Sequence, residues 1–235
     1  MSVVGTLKVA TYNVHRCVGT DGREDAGRVA AVLAELDADV VALQEVESRP
    51  SRTRRRQGED LARRTGRELL EGPLLFEGAG QYGNAILSRF PLAALRRHRF
   101  PRAGREARGF VRAELADVDG RAWHVIATHL DLAPRARSGQ LEILAAELLL
   151  APFPAVLMGD LNEWRRWTRA LNLLGRSGRL LPARPSFPSR LPVLALDRIV
   201  ARGAAVEEGP VVHRTELSRQ ASDHLPVWAR LRAGG

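Results

Sequence analysis

The sequence predicts an α/β protein in which two β-sheets pack against each other with helices on the outside. Three observations carry this reading: a strand–helix–strand pattern opens the chain, a second one closes on 155–158, and the stretch between them is mostly strand-like. Residues 7–14 alternate apolar and polar positions and read as a strand, followed by turn chemistry at Gly19, Asp21 and Gly22. Asp25 is placed to cap a helix in which Val29, Val32, Leu33 and Leu36 recur at helical spacing, and 40–46 is then a buried strand. Segments 85–88, 110–118 and 123–128 read as strands, with Asp119-Gly120 as a hairpin signal. A helix is expected over 135–150, stopped by Pro152 and Pro154, and a further helix over 161–174. Residues 181–192 form a proline-rich loop, and 196–200, 204–213 and 226–231 are the closing strands.

At 235 residues the chain suits one domain, 1–235, because chains of this size bury roughly 70 to 75 % of the surface they expose when unfolded. Residues 1–7 lack the features of a secretory signal, and no apolar run reaches the ~18 residues of a membrane span, so a cytoplasmic location is expected. With Cys17 alone, neither an intramolecular disulfide nor a cysteine-based zinc site can form. The net charge of +9 would draw the protein to nucleic acid, anionic lipid or other polyphosphates. Lys8 is the only lysine, so this surplus is arginine in a chain crowded with Ala, Leu and Gly, a bias that base composition also produces. The densest cluster, 49–67, holds eight arginines, among them Arg54, Arg55 and Arg56. A surface that tracks phosphates and a solvated loop-and-helix face both account for it.

Five short segments share one grammar, in which an apolar strand runs out into carboxylate, amide or imidazole groups: TYNVH (11–15), LQEV (43–46), THL (128–130), GDLNEW (159–164) and SDHLPV (222–227). Asp197, after Leu194-Ala195-Leu196, makes a sixth. Buried carboxylates are costly unless paired or bound to metal, so their convergence at strand ends points to a site. Oxygen ligands without cysteine favour Mg²⁺ or Mn²⁺, with Glu45 as the clearest ligand. An imidazole beside carboxylates can serve as acid or base, and His224 with Asp197 would form such a pair.

Taken in order with YGNAILSR (82–89) and LDRIV (196–200), these motifs resemble the endonuclease/exonuclease/phosphatase superfamily, which contains deoxyribonuclease-I-like nucleases, abasic-site endonucleases, neutral sphingomyelinases and inositol-polyphosphate phosphatases. The resemblance runs from Thr11 to Val227 and implies a four-layer α/β/β/α sandwich of two mixed sheets. It implies that Asn13 contacts metal or phosphate, that Glu45 is the principal metal ligand and that Asp223 lies near the metal or a second metal position. Asp160 would orient or deprotonate the attacking water, Asn162 would bind a phosphate oxygen, and His224, oriented by Asp197, would polarise the phosphate or transfer a proton. His129 would lie beside the leaving group and favours the non-abasic branches, while Asn84 and Arg108 are candidates for meeting substrate or phosphate.

The expected activity is therefore metal-dependent hydrolysis of a phosphodiester by in-line attack of water, on nucleic acid or on a phospholipid- or sphingolipid-type headgroup. The expected partner is that substrate, with no obligate protein partner and a monomeric chain. The competing readings are a nuclease acting on DNA, abasic sites included, and a catalytically silent nucleic-acid-binding module. His15, His98, His124 and His213 are expected to be structural or surface residues, and Trp164 and Trp167, three apart on the expected helix, to pack in the core.

Overall fold

The computed structural model describes residues 5–47, 56–77, 80–101, 108–152, 154–165 and 167–234, with the backbone alone for 73–77 and 80–82. Strand β1 (Thr6–Asn13), helix α1 (Ala26–Leu36) and strand β2 (Val40–Glu47) form the opening βαβ unit, with β1 and β2 parallel. The Asp25 carboxylate accepts from Arg28 N at 2.9 Å and starts α1, and Val29, Val32, Leu33 and Leu36 are buried as the spacing predicts. Helix α2 (Gln57–Thr65), strand β3 (Glu68–Glu77) and strand β4 (Gly80–Ser88) follow, then β5 (Leu92–Arg99). The Asp119-Gly120 turn joins β6 (Gly109–Ala116) to β7 (Ala122–His129), and helix α3 (Pro134–Leu150) crosses to β8 (Ala155–Asp160), parallel to β7. Helix α4 (Arg169–Ser177), strands β9 (Arg179–Leu180), β10 (Asp197–Arg202) and β11 (Ala204–Val212), helix α5 (Glu216–Ala221) and strand β12 (Val227–Ala233) complete the chain.

The strands form two mixed six-stranded sheets, ordered β11-β12-β1-β2-β4-β3 and β5-β6-β7-β8-β10-β9. Their inner faces meet in one apolar layer that includes Val9, Ile86, Val111, Trp123, Val125, Met158 and Leu231. A second cluster lies between the first sheet and α1, and a third between the second sheet and α3 with α4. The result is the α/β/β/α sandwich. No helix among the described residues is long and apolar enough to cross a membrane.

Two expectations need correction. Residues 161–165, 167 and 168 are not helical: the Asp160 carboxylate accepts from Asn162 N at 2.9 Å, and Asn162 turns to a φ of +50°. That tight turn denies the chain a helical start until Thr168, whose hydroxyl accepts from Leu171 N and caps α4. Trp164 and Trp167 consequently leave the core and are 48 % and 83 % exposed. In addition, α2, α5, β3 and β5 were not expected; β5 is largely exposed along its length and so lacks the alternation that marks a strand with one buried face.

The arginine cluster divides. Arg49, Arg52, Arg54 and Arg55 lie outside the described residues. Arg63 and Arg64 each reach Asp60 at 2.7 Å, while Arg67 is buried and donates to the Asp39 carbonyl at 3.3 Å. Arg67 is thus held within the fold, while Arg63 and Arg64 are exposed side chains paired on its surface.

The β7–β8 pairing brings Gly159 against Thr128, where an added Cβ would stand 2.1 Å from the Thr128 carbonyl oxygen. Gly159→Ala must therefore push apart the two strands that end in His129 and Asp160. Forced overpacking of this kind costs about 1–3 kcal/mol or more, so we expect a fall in denaturation midpoint of that order, accompanied by loss of any activity housed at these strand ends. An unchanged midpoint in a urea titration would contradict the close approach.

Candidate active site

The polar groups converge because the strands that carry them end together. β1 and β2 are parallel and end in Asn13 and near Glu45; β7 and β8 are parallel and end in His129 and Asp160. β10 runs antiparallel to β8, so its first residue, Asp197, sits opposite Asp160. β12 runs antiparallel to β1, which brings the preceding Asp223-His224 to the same end. Both sheets thus contribute to a cavity of about 460 Å³ whose polar lining includes Asn13, Arg16, Glu45, Arg108, His129, Asp160, Asn162 and His224.

Asp160 is the hub. It is 1 % exposed, and its Oδ2 accepts from Asn13 Nδ2 at 3.2 Å and lies 3.4 Å from His129 Nε2 and 3.7 Å from His224 Nε2. Burial opposes ionisation, but the two imidazoles and the Asn162 N–H outweigh it and hold the carboxyl below the usual carboxylate range. Glu45 sits in a β-bulge of β2, where the register against β4 shifts between Leu43 and Val46, and adopts a φ of +58°. Its Oε1 accepts from Asn13 Nδ2 at 3.1 Å. Burial opposes ionisation here too, and the His129 imidazole, the Asn13 amide and the Arg108 guanidinium prevail, so the Glu45 pKa is lowered.

His224 Nδ1 lies 2.9 Å from Asp197 Oδ2, and the ring packs on Phe187 with centroids 4.8 Å apart. Asp197 Oδ2 also accepts from Ser186 Oγ at 2.5 Å. Burial alone would depress the imidazolium; the carboxylates of Asp197, Asp160 and Asp223 overcome this and push His224 up to about 10. Arg108 Nη1 donates to His129 Nδ1 at 2.6 Å, and Asn162 Nδ2 lies 3.1 Å from His129 Nε2 while donating to the Leu130 carbonyl at 2.8 Å.

The remaining expected residues lie further out. Asp223 is half-exposed, 3.8 Å from His15 Nδ1, and neither of the two lines the cavity. Asn84 is buried on β4 and donates to the Gly109 carbonyl at 2.8 Å, joining the two sheets behind Arg108. It is outside the cavity lining. Sequence reasoning missed Arg16, Ser186 and Phe187. The first follows a motif histidine, and the other two fall in the proline-rich segment read only as loop.

Glu45 and the neighbouring oxygens suit a hard divalent cation: the donor set is oxygen-rich and the Glu45 carboxylate is held ionised at the cavity wall. Asp160, Asp197 and His224 also offer ligand atoms within 4.8 Å of one another. The 2.9 Å contact between His224 and Asp197 is that of a charge-assisted hydrogen bond, so a proton already joins these two.

His224 supplies a pH prediction. Its pKa is raised from an ordinary 6.5 to about 10, so the protonated ring stabilises the fold below pH 6.5 and that contribution is lost as pH rises through 10. We expect the stability of Asp197→Asn to show a weaker decline across this window than the parent, followed by denaturation at stepped pH. Equal slopes would remove Asp197 as the cause.

Comparison with known proteins agrees with this architecture. The model of the Endonuclease/Exonuclease/phosphatase family matches residues 10–224. The uncharacterized protein YbhP of Escherichia coli (strain K12) is 29 % identical over 248 aligned residues, covering 96 % of each chain. The crystal structure of an endonuclease/exonuclease/phosphatase from Beutenbergia cavernae superposes with a TM-score of 0.75 at 25 % identity, covering 98 % of this chain and 72 % of that one. The D. rerio TDP2 structure complexed with single strand DNA product gives 0.71 at 18 % identity, covering 97 % and 99 %, a likeness of fold.

Proposed function

We propose, from the premise that this chain belongs to the endonuclease/exonuclease/phosphatase family, that it is a divalent-metal-dependent phosphodiesterase working by in-line attack of water. The observation that carries this reading is the juxtaposition, within one cavity, of a carboxylate held ionised, Asp160, and an imidazole held protonated, His224, 3.7 Å apart. Groups whose surroundings drive their protonation states apart are suited to opposite roles in one reaction.

Asp160 orients the attacking water and accepts its hydrogen bond. The donors crowded on Oδ2 hold this carboxylate ionised and aligned on the water, whose proton it takes as the new P–O bond forms and the bond to the leaving oxygen breaks. His224 presents its Nε2 proton to a non-bridging phosphoryl oxygen, and Asp197, itself fixed by Ser186, sets the ring's orientation. Asn162 and Arg108 offer further donors, and His129, gripped by Arg108 at one nitrogen, is placed to serve the leaving oxygen through the other. Mg²⁺ or Mn²⁺ held by Glu45, with the Asn13 amide beside it, would neutralise charge on the phosphoryl group and stabilise the departing alkoxide.

Bis(4-nitrophenyl) phosphate turnover is expected with Mg²⁺ or Mn²⁺, to vanish with chelator and to return on adding metal. A general base contributes about 10² to 10⁴ in rate and a donor to a charged transition-state oxygen about 10² to 10³, so Asp160→Ala and His224→Ala should each lower kcat by at least ~10²-fold while circular dichroism shows the fold retained. Parallel arms with single-stranded DNA, an abasic duplex and sphingomyelin identify the natural ester. Turnover that persists in chelator, or near-normal kcat in folded Asp160→Ala, would overturn the proposal.

A further inference from the structure

The cavity lining combines two kinds of side chain, polar and apolar. Besides the polar groups it is lined by Leu132, Trp164, Phe187, Leu194 and Leu196. Phe187 and Leu194 face each other through an isolated β-bridge, and the Phe187 ring also packs on His224, so this wall is continuous with the catalytic imidazole. Leu132 is 64 % exposed and Trp164 48 % exposed, which leaves apolar surface in water at the cavity mouth.

These side chains are held in place. Arg137, fully buried on α3, donates to the Leu132 carbonyl at 2.8 Å and to the Asp131 carbonyl at 3.2 Å. It pairs with Glu163 Oε2 at 3.2 Å, and its guanidinium lies 5.3 Å from the Trp164 ring centroid. One buried arginine therefore fixes both the segment after His129 and the segment after Asn162. A buried ion pair is a costly way to anchor two surface loops, and its effect here is to keep Leu132 and Trp164 facing the cavity.

Resting on the hydrolase reading above, we infer that Trp164 and Leu132 are specificity-determining residues that take an aliphatic ester group of the substrate while its phosphate meets the polar groups. A nucleobase fits this wall less well. Three of the five side chains are leucines, which would meet the hydrogen-bonding edges of a base with no partner, a cost an alkyl chain does not incur.

The test is binding, which does not depend on turnover. Calorimetric titration of the Mg²⁺-loaded protein with methyl phosphate, hexyl phosphate and thymidine 5′-phosphate compares the three ester groups on a common headgroup. Each fully buried methylene is worth up to about fourfold in affinity, so hexyl phosphate should bind at least ~10-fold tighter than methyl phosphate. Trp164→Ala should reduce this preference to under about threefold, Leu132→Ser should reduce it independently, and Trp167→Ala, outside the lining, should keep it. Equal or undetectable binding of the two alkyl phosphates, tighter binding of thymidine 5′-phosphate, or an unchanged preference in both Trp164→Ala and Leu132→Ser would overturn the inference. Hydrolysis of hexyl and methyl 4-nitrophenyl phosphate, which share a leaving group, is run alongside. Failure to cleave either, with the binding preference intact, would count against the hydrolase reading and leave the apolar wall standing.

Discussion

Asp160 is a carboxylate removed from water, and much of the molecule's arrangement compensates for it. An unpaired buried carboxylate costs several kcal/mol even after relaxation, so its donors must be supplied at fixed distances. They come from every part of the sandwich: Asn13 from the first sheet, His129 from the strand beside it, His224 from the segment leading into β12, and the backbone N–H of Asn162. Asn13 does this twice, donating to both Glu45 and Asp160, and so links the two sheets through one amide. The same compensation that makes the charge tolerable lowers its affinity for a proton and raises that of His224.

The site also holds strained backbone. Glu45 and Asn162 lie at φ of +58° and +50°, a region in which residues other than glycine cost about 1–3 kcal/mol each. In Glu45 the bulge interrupts the alternation of β2 and directs a carboxylate into the cavity. In Asn162 the turn folds the chain back so that its side chain reaches both His129 and Leu130. Glycine at either position would relieve the strain but remove the functional group, so geometry and chemistry compete for the same residues.

Much of the sandwich was legible because its central strands are apolar on a clear period and α1 and α3 show helical spacing or proline stops. The polar residues at the strand ends were legible for a related reason: a carboxylate or imidazole closing an apolar run is conspicuous against its neighbours. What escaped notice depends on tertiary contact. β5 has no buried face to give it alternation. The helix expected from Leu161 onward is the exception, lost to a local turn in which the Asn162 N–H donates to the Asp160 carboxylate and Asn162 takes a φ of +50°. Ser186 is one serine in a proline-rich loop until folding sets it 2.5 Å from Asp197, and Trp164 reads as a core residue until Arg137 is seen beneath it.

The net charge of +9 invites an electrostatic account of substrate binding, and the contacts argue against it. Arg28 pairs with Asp21, Arg63 and Arg64 with Asp60, Arg89 with Asp37 and Asp39, Arg96 and Arg112 with Glu147, and Arg137 with Glu163. Arginine's planar donor fork suits such staples, so these side chains are tied to carboxylates on the fold, although the net charge itself is unchanged by the pairing. The cavity itself has a different balance. Glu45 and Asp160 line it, with Asp197 immediately behind; on the cationic side Arg108 and His224 are engaged with partners and Arg16 stands exposed at the wall. A phosphodiester entering on the proposed reading would meet ionised carboxylates at close range, where low local dielectric magnifies repulsion. A divalent cation at Glu45 reverses that sign locally, which distant surface arginines, screened beyond about 10 Å at ordinary ionic strength, cannot do. On the proposed reading a cation there would offset carboxylate repulsion as the substrate anion binds, in addition to any part it takes in the reaction.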